Sequence, residues 1–331
     1  MHRRDLMARL GSAALALSAP SLARAQGFPA QAQGFPRRNV TLVVPSSPGG
    51  PIDTLARLLQ PHLQAMWSMP VVFDYKPGAN GVIGTDIVAK APPDGHTIAV
   101  VPTSHVINPS LRTMPFDTAK DLSGVAVLGV SNILIAANPS FPANTLPEAI
   151  ALIRSQPKKF SYASPGSGSA LHLSMELLKH TTGVDVLHVP FRGSAMAYPE
   201  VMSGRVNLLV DPLYSALPHV KAGKLKALAL TGAKRSALAP DIPTVSELGV
   251  VPGFNVQSFF AVVTTGGTPR DVVEKMHRDI GTILQMPETS RRLGELGIEP
   301  NPLATAEVDA LIRRELDRWT TLVRATGIKA E

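Results

Sequence analysis

The chain has 331 residues, 44% of them hydrophobic, a formal charge of +7 and no cysteine. That length gives room for two domains with cores of their own, and the lack of cysteine excludes disulfides and thiolate metal sites. Lys and Arg are scattered with few aromatics between them, which argues against nucleic-acid binding.

The N-terminus reads as a targeting signal. Arg3, Arg4 and Arg9 precede an apolar stretch from Leu10 to Ala19, and Ala23-Arg24-Ala25 supplies a small-x-small cleavage pattern. The apolar stretch is shorter than the roughly 20 residues that a bilayer-spanning helix needs. Cleavage is expected after Ala25, with Gln26 first in the mature chain. Arg3-Arg4-Asp5-Leu6-Met7 also has a twin-arginine look, so both export routes stay open. Removal of residues 1–25 leaves a charge of about +4. No later segment approaches 18 uninterrupted apolar residues, so the mature chain is expected to be soluble.

Short β-branched runs then alternate with helical stretches, the pattern of parallel α/β layers. Val40–Val44 reads as a buried strand, followed by a helix over about Asp53–Met66. Pro70–Phe73 is a strand leading to a helix that ends near Lys90, and Thr97–Val101 is the third strand. Val125–Ala137 holds two more apolar runs, read as a crossing between lobes. Thr145-Leu-Pro-Glu148 is a capping box that opens a helix to about Ser155. Strands follow at Phe160–Ala163, Val186–Val189, Val206–Val210 and Leu225–Thr231. Thr244-Val-Ser-Glu247 is expected to cap a short helix, and Thr268-Pro-Arg-Asp271 a long one. Val308, Leu311, Ile312, Leu316, Trp319 and Val323 fall at helical spacing and form a packing stripe.

One unit recurs: a strand, a turn of Gly, Pro, Ser or Asn, then a helix. It occurs at Pro45–Pro51, Lys76–Gly81, Ser164–Ser169 and Phe191–Ser194. Such turns favour anions, because the first N–H groups of a helix lack intrahelical partners and carry partial positive charge. One turn alone means little, since every strand-to-helix link needs punctuation. Four, two in each proposed lobe, are better explained by a shared cleft.

Enzyme signatures fare poorly. Gly166-Ser-Gly168 begins like a dinucleotide fingerprint, but Leu171 stands where the third Gly belongs. There is no G-x-S-x-G elbow, no P-loop and no metal-type histidine spacing. Asp211 is read equally as a helix cap and as a ligand contact, and Arg192 as a carboxylate clamp or a solvated rim residue.

From about Phe35 to its end the chain resembles the Bug-type substrate-binding receptors of tripartite tricarboxylate transporters. The resemblance is carried by an ordered set of segments: Val43–Arg57, Pro77–Gly81, Ala91–Thr97, Ile107–Leu111, Tyr162–Ser169, His188–Ser194, Gly223–Ala229 and Pro243–Glu247. It implies a two-lobed α/β fold of the periplasmic binding protein type II kind, each lobe a mostly parallel sheet flanked by helices, with ligand in the inter-lobe cleft. The lobes expected are 36–127 plus 257–331, and 128–256, hinged near Val127–Ala136 and Gln257–Val263. The implied role is a periplasmic monomer with no cofactor, catalysing nothing, that delivers a small organic carboxylate to integral-membrane transporter subunits. In the family the first two loops and ordered water hold one carboxylate, which maps onto Ser46, Ser47, Gly49, Gly50, Pro51, Gly78, Ala79 and Asn80. The distal part of the ligand would meet Thr103, Ser104 and His105. The second lobe would add Ser164, Gly166, Ser167, Arg192, Gly193 and Asp211.

The chain departs from the family pattern at several of these positions. Ser46-Ser47 replaces the usual Phe-Ala, Asn80 the usual Gly, Phe191 the common Tyr and Phe259 a frequent Trp. Ser46, Ser47 and Asn80 are expected to make the site more polar, favouring a hydroxylated or multiply charged acid. Two other functions are carried as alternatives. One is a binding protein of the same fold that feeds a signalling partner. The other is an exported serine hydrolase, motivated by Ser167, Ser169 and His172.

Overall fold

The computed structural model describes residues 34–328, so the expected signal segment 1–25 lies outside the described residues. The architecture is that of the compact unit Pro36–Glu331. It opens with β1 (Val40–Val44), α1 (Pro51–Trp67), β2 (Val71–Tyr75), a 3₁₀ turn at Ala79–Gly81 and α2 (Val82–Ala89). Next come β3 (Thr97–Pro102), α3 (Ser104–Leu111), β4 (Leu122–Ser131), β5 (Ile133–Ala137), α4 (Leu146–Ser155) and β6 (Ser161–Ser164). The chain continues with α5 (Ala170–Thr182), β7 (Leu187–Pro190), α6 (Ser194–Met202), β8 (Leu208–Pro212), α7 (Leu213–Lys221) and β9 (Lys226–Leu230). It closes with β10 (Ser258–Thr265), α8 (Arg270–Leu284), α9 (Pro287–Glu295) and α10 (Thr305–Thr326).

The strands form two sheets of the same plan, ordered β2-β1-β3-β10-β4 and β7-β6-β8-β5-β9. In the first, β1 pairs in parallel with β2 and β3, while β10 runs antiparallel between β3 and β4. In the second, β6 pairs in parallel with β7 and β8, while β5 runs antiparallel between β8 and β9. Each sheet is thus mostly parallel, as expected, with four strands running one way and a single strand, β10 or β5, reversed among them. The reason is connectivity. The chain crosses between the sheets at Asn132 and enters the second one reversed, as β5; it returns after β9 and enters the first one reversed, as β10.

Local composition explains the elements. In β1, Val40, Leu42, Val43 and Val44 have no exposed surface, as expected of a β-branched strand covered on both faces. All five residues of β5 are buried; Ile133, Ile135 and Ala137 join one apolar cluster, and Leu134 and Ala136 the other. α1 begins with Pro51 in its first turn and buries Leu55, Leu59 and Leu63 along one face. The stripe expected near the C-terminus is the buried face of α10, with Val308, Ile312, Trp319 and Val323 inside.

Two caps behave differently from the sequence reading. Thr244 and Glu247 do exchange the bonds of a capping box, Thr244 N–H to Glu247 at 2.9 Å and Glu247 N–H to Thr244 Oγ1 at 3.0 Å. Turns follow instead of a helix, because Gly249 and Gly253 both take left-handed backbone. Thr268 donates its hydroxyl to the Thr265 carbonyl at 2.7 Å, leaving Pro269 as the residue before α8. Helices α3 and α9 were not anticipated at all.

Candidate ligand-binding site

The Gly/Ser turns lie at the carboxyl ends of parallel strands in both sheets, the edge where open α/β folds collect ligands. After β1, Ser47, Pro48 and Gly49 are exposed, while the Ser46 hydroxyl is buried without a hydrogen-bond partner. The Gly49 N–H donates to Asp53 at 2.8 Å. Asp53 is buried in the first turn of α1, and it also accepts from Arg57 at 3.0 Å and from the Tyr75 hydroxyl at 2.7 Å. Burial pushes the Asp53 carboxyl up, but these three partners outweigh it and hold it below the usual carboxylate range. Because Tyr75 ends β2, this network ties the first loop to the start of the second. Sequence reasoning missed Asp53 and Tyr75 as site builders, although an acidic residue in the first turn of an uncapped helix was a usable signal.

The second loop has four consecutive residues with positive φ: Gly78 at 126°, Ala79 at 48°, Asn80 at 56° and Gly81 at 93°. For Ala79 the left-handed region is unfavourable by roughly 1–2 kcal/mol, so the neighbourhood must enforce it. Asn80 supplies the restraint. Its side-chain amide donates to Asn108 Oδ1 at 3.1 Å, and Asn108 returns a bond to the Asn80 carbonyl at 3.1 Å. The N–H groups of Gly81 and Val82 close the turn onto Gly78 and Ala79. Those of Ala79 and Asn80 have no partner among the described residues. Gly84 lets α2 approach, since a Cβ there would lie 2.7 Å from Pro45 and 3.0 Å from the Lys76 carbonyl.

α3 brings the next three candidates together. Thr103 is buried and engaged with β10, donating to the Phe259 carbonyl at 3.2 Å and accepting its N–H at 2.7 Å. Ser104 donates to the Asn80 carbonyl at 3.4 Å. His105 is 3% exposed, both ring nitrogens lack partners, and burial holds its pKa down to about 4.

In the second sheet the third and fourth loops run side by side, with Gly193 N–H donating to the Pro165 carbonyl at 3.0 Å. Ser164 is fully buried, and its hydroxyl lies 2.7 Å from His188 Nε2 and 3.3 Å from the Gly166 N–H. His188 stacks on His172 with ring centroids 3.9 Å apart. His172 Nδ1 accepts the Gly168 N–H at 3.0 Å, so its proton sits on Nε2. Ser169 caps α5 by accepting the His172 N–H at 3.2 Å. The Ser169–His172 pair that suggested a hydrolase is thus a helix cap. Asp211 has no exposed surface and accepts from the hydroxyls of Ser194, at 2.6 Å, and Tyr198. Burial raises its pKa. Ser167 is half-buried, and Arg192 is exposed with no ion pair among the described residues. No group of three or more His, Asp or Glu is placed to hold a metal ion among the described residues.

Residues 55–328 match the family model described as "Tripartite tricarboxylate transporter family receptor". The chain belongs to that receptor family. Protein BugT of Bordetella pertussis is 32% identical over 88% of this chain and 90% of its own. Among solved structures, R. palustris Rpa4515 with adipate is 33% identical, covers 90% of this chain and 100% of its own, and superposes with a TM-score of 0.73. MatC from Rhodopseudomonas palustris with bound malate is 32% identical over 87% and 100%, with a TM-score of 0.70. The two-lobed periplasmic binding protein fold follows from this likeness.

Within the receptor the expected site residues divide into two kinds. The side chains of Ser47, Ser167 and Arg192 and the Ala79 N–H make no hydrogen bond among the described residues, whereas the Ser46 hydroxyl is buried and the N–H groups of Gly166 and Gly193 donate to Ser164 and Pro165. Thr103, Ser164, Asp211, the Gly49 N–H and the Asn80 amide are committed to internal hydrogen bonds. Asn80 thus stiffens its loop through one N–H of its side-chain amide. His188 escaped notice because its partner Ser164 lies 24 residues away in sequence.

Proposed function

We propose that the receptor, exported after cleavage of residues 1–25, works in the periplasm as a monomer. It captures a small organic carboxylate and delivers it to integral-membrane transporter subunits without catalysing a reaction. The ligand sits between lobe 36–127 plus 257–331 and lobe 128–256. The observation that carries this reading is the run of positive φ from Gly78 to Gly81, clasped by Asn108. Such a run turns adjacent backbone N–H groups outward, the arrangement that receives an oxyanion. The first loop, whose geometry Asp53 fixes, offers the start of α1 beside it. Relatives of about one-third identity solved with adipate and with malate support a carboxylate.

A carboxylate oxygen would take the N–H groups of Ala79 and Asn80, with the Ser46 and Ser47 hydroxyls alongside. The distal end would meet Ser104 and His105, and the second lobe would close with Gly166, Ser167, Arg192 and Gly193. Neutral His105 adds no positive charge but offers a donor and an acceptor, which suits a hydroxylated acid. A thermal-shift screen of the mature chain against mono-, di- and hydroxycarboxylates is the test. Ligand at 100 times its Kd should add about 2.7 kcal/mol of stability. An unchanged melting temperature across adipate, malate and the rest of the panel would overturn the reading. Labelling by a serine-directed fluorophosphonate would overturn the absence of catalysis.

A further inference from the structure

At its far end α3 borders a second cavity. The chain leaves the helix at Arg112, and residues 109–119 with Leu316 of α10 line an open cavity of about 670 Å³. That volume lies within the range of small-molecule sites. Its lining combines two chemistries. Leu111, Met114, Phe116 and Leu316 supply apolar wall, and Arg112 and Thr118 supply polar groups.

Neither polar group is satisfied. Arg112 forms no ion pair or side-chain hydrogen bond among the described residues, and its Nε is buried. Thr118 is 4% exposed with a buried hydroxyl that has no partner. Buried donors without acceptors are unfavourable, which applies to the Thr118 hydroxyl and to Nε of the half-buried Arg112. Oδ1 of Asp117, also in the lining, faces its own turn, accepting the N–H groups of Ala119 at 2.9 Å and Lys120 at 3.1 Å. Arg112 Nε makes no bond to it.

We propose that this cavity is a second binding site, distinct from the one between the loops, for a small amphipathic carboxylate. Arg112 takes the carboxylate through its planar fork, and Leu111, Met114, Phe116 and Leu316 cover the apolar body. An acid that is charged at both ends leaves one charge against apolar wall, so a monoacid with an aromatic or branched body fits best. The site is linked to the loops by one short helix. The N-terminal end of α3 carries Ser104 and His105, and Leu111 at its other end lies 2.9 Å from where a Cβ on Gly168 would stand. An occupant beside Arg112 therefore braces α3 and its contact with the third loop.

The probe is 4-bromobenzoate. Crystals of the mature protein soaked with it should show a bromine anomalous peak between Arg112 and Leu316. Calorimetry should show Arg112→Ala weakening 4-bromobenzoate at least tenfold, with Arg112→Lys also weakened because it lacks the fork. Saturation of the inter-loop site with whichever carboxylate the thermal-shift screen selects should leave that binding in place. A bromine peak only among the four loops, displacement by that carboxylate, or wild-type affinity for 4-bromobenzoate in folded Arg112→Ala would each overturn the proposal. The bromine position and the Arg112 variants do not depend on what the loops bind, because Arg112 lies outside them.

Discussion

Acidification should destabilise this receptor through buried imidazoles, among which His105 and His172 are the most enclosed, with His188 stacked on His172. His105 and His172 are 3% and 6% exposed, and burial brings each from 6.5 to about 4, with the Lys179 charge assisting at His172. The unfolded chain binds these protons at pH 6.5 and the folded chain only near pH 4. Stability is therefore undiminished above pH 6.5 and falls as pH drops from 6.5 towards 4. Relative to neutral pH, each ring then contributes about 2 kcal/mol of destabilisation at pH 5. Asp211 and Glu315 act in the opposite sense, because burial raises their pKa and protonating them relieves the folded state. The comparison that isolates the rings is between the wild type and the double variant His105→Asn/His172→Asn. Asn at 172 keeps an oxygen for the Gly168 N–H. Urea unfolding at pH 7 and pH 5 should show the wild type losing about 4 kcal/mol more than the double variant. Equal losses would refute the reasoning.

Asp53→Asn keeps the shape of the first-loop network but removes its charge, so Arg57 and Tyr75 lose their anchor. Calorimetry should show a weaker carboxylate complex, by about tenfold or more, with a stability loss of about 1–3 kcal/mol by urea unfolding. Asn108→Ala removes both bonds that hold the Asn80 turn, so carboxylate affinity should fall while that of Asn80→Gly, which tolerates positive φ unaided, should fall less. Equal affinities in these two variants would separate the turn from the site.

Much of this was legible from pattern alone. Short apolar runs announced β1, β3 and β8, and clustered Gly and Ser announced the loops. Strand direction was not legible, since β5 and β10 look like any other apolar run and only connectivity reverses them. α3 was hidden by Pro109 and its polar residues, whose burial comes from packing against α10. At the site, residue types could be read but not their commitments. Whether Asn80 faces a ligand or Asn108 depends on a contact across 28 residues, and Asp53 on a strand end 22 residues away.

The antiparallel insertion of β10 also dictates an order of assembly. All strands of the second sheet lie within residues 133–230, so that sheet can form from one continuous stretch. The first sheet stays split, with β3 and β4 apart, until residues 258–265 arrive to join them. A chain emerging N-terminus first therefore completes its middle before its beginning, holding β1 to β4 unfinished meanwhile. A truncation after residue 256 should retain slow hydrogen exchange in β6 and β8 and lose it in β1 and β3; protection in β1 and β3 would contradict that order. The strands made first therefore depend on β10, the last strand among the described residues, for their own sheet to close.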